Sequence, residues 1–191
     1  VVLEAGLHEF ISAQYLEANL SSVARRAGMS NSSVYYHFSS KEELWLELHS
    51  IVTQSLLDQI ALTDETGVLQ DKAKRVVRRF IDWMQGNAQY ALFYSTYSGG
   101  NASTEAARRS DALRVTRMIA AKLASSGQAG SGEPDISVQL WVAAVTTEVL
   151  FRELCLATSS GVLDIESVGT TGDLLIAKIV ATVPSGTEDH S

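Results

Sequence analysis

"AGMSNSSVYYHFSSKEEL", residues 27–44, sets a glycine, a row of serines, an asparagine, two tyrosines and a histidine between stretches that read as helix. Its polarity suits a surface loop, yet Val34 and Phe38 stand four apart, the spacing of one helical face. Ser30 is placed to cap a short helix over 31–36, and Gly28 ends the helix before it. Ser40 with Glu43 three residues on is a capping box that opens a fourth, long helix. Upstream, Asn19 caps "LSSVARRA", and Leu3, Leu7, Phe10 and Ile11 mark a first helix.

Helix two, a tight turn and helix three thus form a helix-turn-helix. Val23, Ala24 and Ala27 give helix two an apolar inner face, and Met29 and Val34 fill the angle between the helices. Asn31, Ser32, Ser33, Tyr35 and Tyr36 are left outward on a slender helix that fits a major groove. There amides and hydroxyls meet base edges or phosphates, and tyrosine reaches a phosphate or a thymine methyl.

The rest of the chain is also helical by periodicity, with candidates at 69–85, 88–98, 104–125, 135–158 and 164–183. Gly99-Gly100 and "SSGQAGSGEP" at 125–134 interrupt them, the second as a flexible loop. No alternating apolar run with a hairpin turn argues for strands, so the expected fold is all-α.

Composition narrows the function. With 191 residues, 46% hydrophobic and 19% charged, the chain reads as a globular protein with a real core. No stretch nears the roughly 18 apolar residues of a membrane span, and no leader pattern is visible, so a cytoplasmic location is expected. One cysteine, Cys155, and the scattered His8, His37, His49 and His190 give neither a disulfide nor a metal site, and no cofactor is implied. No G-x-S-x-G, P-loop or G-x-G-x-x-G is present, so an enzyme is not expected. Val1 opens inside a helical pattern, from which we expect a further N-terminal tail.

"VARRAGMSNSSVYYHFSSKEEL" resembles the signature of TetR-type transcriptional regulators, over about residues 3–48. The resemblance implies an all-helical homodimer: an N-terminal helix-turn-helix three-helix head (1–48), then a larger helical effector-binding and dimerisation domain (49–183), with 184–191 as a flexible tail. Carried over by position, the DNA-facing residues are Ser21, Ser22, Asn31, Ser32, Ser33, Tyr35, Tyr36, His37 and Lys41. Lys41 sits in the first turn of its helix, where it opposes the dipole, which favours a phosphate contact. Charge cuts the other way: residues 1–49 hold Arg25, Arg26 and Lys41 against Glu4, Glu9, Glu17, Glu42, Glu43 and Glu47, and the whole chain carries −7. Non-specific attraction to DNA is therefore expected to be weak.

In the second domain Phe80, Trp83, Met84, Tyr90, Phe93, Tyr94 and Tyr97 concentrate aromatic and apolar area, with Met118 and Trp141 available from later helices. The cluster is either core or an effector pocket. Glu148, within "WVAAVTTEVLF", needs a partner, either Arg152 or a ligand. In 135–158 one apolar stripe runs Ile136, Leu140, Ala144, Thr147, Phe151 and Leu154, and a second runs Val138, Val142, Val145, Val149 and Leu156. A helix apolar on both sides must be covered on both, which points to a homodimer through 135–158 and 164–183. The reading is a ligand-responsive regulator, most simply a repressor of a palindromic double-stranded DNA operator released by an unidentified small-molecule effector. The alternative is a helical ligand-binding or interaction protein without specific DNA binding.

Overall fold

The computed structural model describes residues 1–64, 66–96, 100–124 and 138–161, the side chains of 138–143 and 159 excepted. These residues form eight α-helices: α1 (Val2–Glu17), α2 (Leu20–Ala27), α3 (Asn31–His37), α4 (Lys41–Ala61), α5 (Leu69–Gly86), α6 (Ala88–Ser95), α7 (Ala102–Ala124) and α8 (Val138–Ser159). No strand occurs among the described residues, and the all-α expectation holds. The expected helix at 164–183, the tail at 184–191 and the loop at 125–134 lie outside the described residues.

The caps fall where the side-chain chemistry directs. Asn19 accepts from Ser22 N at 2.9 Å, Ser30 from Ser33 N at 3.1 Å and Ser40 from Glu43 N at 3.1 Å. Gly28, at φ 66°, ends α2 in the left-handed region, which costs glycine nothing. Glu43 completes its box one residue early, its Oε2 accepting from the N–H and hydroxyl of Ser39 at 2.7 Å. Both bonds favour the ionised form and hold its carboxyl below the usual carboxylate range.

α1 packs on α4 and α2, and α2 in turn on α3, with Phe10, Val23, Val34 and Leu44 in the common core. Helix α4 crosses the expected boundary at residue 48 without interruption, so head and body share it. The ladder between α4 and α7 is polar: Asn101 donates to Glu42, His49 Nδ1 to Asp111 Oδ2 at 2.9 Å, and Arg114 to Gln54 at 2.9 Å. The rising residue numbers on both sides show that the two helices run in the same direction. Phe93 of α6 closes the junction from the other side, 6.2 Å from Phe10 and 5.9 Å from Trp45 between ring centroids.

Candidate nucleic-acid interface and effector site

Helix α3 is held by a single buried anchor. Val34 is fully enclosed, Phe38 is half-buried against the same core, and Asn31, Ser32, Tyr35, Tyr36 and His37 are exposed. Tyr35 is 53% and Tyr36 87% accessible, a cost in wasted apolar area that a purely structural helix has no reason to bear. Ser32 and Ser33 lie 2.9 and 2.7 Å from the Ser30 hydroxyl, so their side chains are tied into the cap. Ser21 is exposed and Ser22, half-buried at the first turn of α2, takes a bond from Arg25 at 3.3 Å.

The acidic excess of the head is directed elsewhere. Glu9 is buried and accepts from the Asn19 N–H at 3.5 Å, with Arg26 at 3.9 Å. Glu42 faces Asn101 of the body, and Glu43 is absorbed by Ser39.

Lys41 has partners that no local pattern reveals. Its ammonium donates to the carbonyls of Tyr15 (2.8 Å), Leu16 (2.8 Å) and Ala18 (3.1 Å), and sits 5.0 Å from the centre of the Tyr15 ring. An ammonium has three protons, and all three are taken. The expectation of a phosphate contact rested on Lys41 opposing the dipole of α4. The structure instead offers it the negative end of α1, just beyond a break at Gln14 (φ 57°, ψ 173°).

Of the aromatic cluster, Phe80, Trp83, Met84, Phe93 and Tyr94 are buried, and Met118 is half-buried against the core. Phe80 stacks face to face on Phe151 at 3.6 Å, and Trp83 donates its indole N–H to Ser55 at 3.0 Å. Glu148 is buried, and its hydrogen-bond partner is Tyr94, whose hydroxyl donates at 3.3 Å across α6 and α8. Burial raises the Glu148 carboxyl, against the charges of Arg152 and Arg108 and the Tyr94 bond; burial and the Glu148 charge push the Tyr94 phenol well up. Burial also lifts the Cys155 thiol to about 12, which leaves it unreactive. Tyr97 and the Trp141 side chain lie outside the described residues.

Among the described candidates, Trp83 and Tyr90 border an open cleft. A cleft of about 740 Å³ runs between α4 (Ser55, Asp58, Gln59), the end of α5 (Trp83, Asn87) and Tyr90 of α6. A second recess of about 340 Å³ lies between α1, α4 and α6. The polar side of this cleft escaped the sequence reading; its only trace was the i, i+4 series Ser50, Gln54, Asp58 on α4, the pattern of any solvated helix face.

Among the described residues no group of His, Cys, Asp and Glu could hold a metal, and no helix is long and apolar enough to cross a membrane. A helix-turn-helix whose second helix offers amide and phenol groups outward, joined by one continuous helix to an all-helical body, is the architecture of a DNA-binding transcriptional regulator. The chain matches, over residues 2–48, the family of bacterial regulatory proteins, tetR family. Its fold is shared with a FadR transcriptional regulator from Bacillus subtilis solved in complex with stearoyl-CoA, at TM-score 0.75 and 13% identity over 96% of this chain and 98% of that one. A TetR-like regulator from Rhodococcus sp. RHA1 (TM-score 0.69, 16% identity, 94% and 91% covered) is similar. So is a tetR-family regulator from Streptomyces coelicolor (TM-score 0.68, 18% identity, 95% and 79% covered). No curated protein matches the chain in sequence.

Proposed function

We propose that the chain is a repressor that binds a palindromic operator as a homodimer and is released by a small-molecule effector held in the body. The observation that carries the DNA-reading half is the exposure of Asn31, Tyr35 and Tyr36 around the single buried anchor Val34. Ser21, Ser22, Ser32, Ser33 and His37 complete the face, as positioning and phosphate-facing groups. The homodimer is supported by α8. Its stripe through Ala144, Thr147, Phe151 and Leu154 is buried, whereas Val145, Val149 and Leu156 on the opposite side are 39%, 49% and 45% exposed. Such a row of large apolar side chains on one helix fits a two-fold helical interface.

The buried aromatic residues read best as the wall behind the effector site, with Trp83 and Tyr90 at its surface. Effector binding then favours one orientation of α4 over another, and DNA affinity follows. The test is selection from a random-sequence duplex library with the full chain. Enrichment of a two-fold symmetric site whose halves are about 34–36 Å apart is expected. Recovery of no consensus, or of an asymmetric single half-site, overturns the repressor-dimer reading.

A further inference from the structure

We infer that Arg25 and Ser22 of α2 together grip a DNA phosphate, and that this grip supplies the charge-dependent part of binding that Lys41 does not; it rests on the DNA-reading face proposed for α2 and α3. The lysines and arginines of residues 1–49 are Arg25, Arg26 and Lys41. Lys41 gives its protons to the carbonyls of Tyr15, Leu16 and Ala18. Arg26 turns toward α1, where the buried Glu9 carboxylate lies 3.9 Å away. Arg25 is exposed and makes no ion pair among the described residues; one of its N–H groups donates to the Ser22 hydroxyl at 3.3 Å.

Helical spacing puts the pair on the outward side of α2. Val23 and Ala24 are buried and Ala27 packs against the core, while Ser21, Ser22 and Arg25, at i, i+1 and i+4, share the opposite side. The Asn19 side chain accepts from the Ser22 N–H at 2.9 Å, and the Ser22 hydroxyl in turn holds Arg25. The guanidinium therefore lies back along its own helix instead of ranging through solvent, which lowers the entropy lost on binding. A cation serving only the dipole of α2 would stay by its C-terminal carbonyls; this one is drawn a turn toward the other end.

The free donors match an acceptor-only target. After the bond to Ser22 the guanidinium keeps the rest of its planar fork, which pairs with two oxygens of one phosphate, and the Ser22 hydroxyl keeps its own proton to donate beside it. One phosphate met by one cation contributes about 0.9 to the slope of log affinity against log salt, or about 3.5-fold in affinity between 50 and 200 mM salt.

The experiment uses the full chain and a duplex it has selected, with binding followed by fluorescence anisotropy over that salt range. Arg25→Gln should lower the slope by about 0.9 per bound head and leave the urea midpoint where it is. Arg26→Gln removes the same charge one residue away and should leave the slope unchanged. Ser22→Ala should weaken binding several-fold in the wild type and much less in Arg25→Gln, because the tether then has no guanidinium to hold. Exchanging each phosphate in turn for an uncharged methylphosphonate should reveal a position that the wild type needs and Arg25→Gln does not. Equal slopes for wild type and Arg25→Gln overturn the proposal. So does an equal fall in both arginine variants, which assigns the effect to net charge alone. A chain that selects no duplex removes the regulator reading and the contact together; a selected duplex bound by Arg25→Gln with the wild-type slope removes the contact alone.

Discussion

Replacing Lys41 with methionine removes the ammonium but keeps much of the length of the side chain. Of its three hydrogen bonds, those to Tyr15 O and Ala18 O are partly buried, while the one to Leu16 O is exposed and is replaced by water. Two part-buried carbonyls left without donors cost about 1 kcal/mol each, and loss of a cation at the C-terminus of α1 adds about 0.3–1 kcal/mol. The expected destabilisation is about 2–3 kcal/mol, read by urea denaturation at fixed protein concentration. The released turn begins at Gln14, whose backbone lies where only glycine is at ease, and leads through Ala18 into Asn19, the cap of α2. Affinity for the selected duplex should therefore fall about tenfold while its dependence on salt stays unchanged. A phosphate contact behaves differently: stability is kept, and the slope of log affinity against log salt falls by about 0.9. Lys41→Arg sharpens the contrast, since arginine preserves the charge but its planar fork fits three carbonyls around one point poorly. Stability within about 0.5 kcal/mol of wild type, together with a lower salt slope, would refute the capping role.

Phe80→Ala should cost about 3–5 kcal/mol and lower the melting temperature by roughly 6–20 °C, because it empties a packed site beside Phe151; a loss below about 1 kcal/mol would show that Phe80 borders a cavity. Asp111 supplies a pH signature. Burial opposes its ionisation, but hydrogen bonds from His49 and Arg114 prevail and hold its carboxyl below the ordinary value of 3.8. Its contribution is present above that value and disappears as the pH falls through the lowered one, so Asp111→Asn should flatten the acid side of a melting-temperature profile below about pH 4. Asn31→Ala and Tyr35→Phe should leave stability within about 0.5 kcal/mol and weaken binding to the selected duplex, measured by anisotropy; unchanged binding in both would move the reading face elsewhere.

What the sequence disclosed was what is decided within one turn of helix. Asn19, Ser30 and Ser40 each cap a backbone amide three residues away, and Gly28 acts on its own φ, so spacing alone identifies them. Lys41 contacts carbonyls 23 to 26 positions upstream, and Tyr94 meets Glu148 across 54, so neither pairing leaves a periodic trace. Arg152, four residues from Glu148, was the partner that local spacing favours. The aromatic residues raised a different difficulty: tryptophan and phenylalanine wall a cavity or fill a core with the same composition, and only packing separates Phe80 against Phe151 from Tyr90 at an open cleft.

Because α4 passes unbroken from head to body, it has the mechanics of a lever. Its 21 residues span about 30 Å at 1.5 Å per residue. A tilt of only about 5° at the body end sweeps the first turn through about 3 Å, as much as the whole length of a hydrogen bond. In the proposed homodimer, two heads moved in opposite senses by the two-fold axis would double that error between half-sites. A ligand therefore has no need to melt or refold anything to break the fit to DNA; a rigid rod converts a small change of angle into a loss of register.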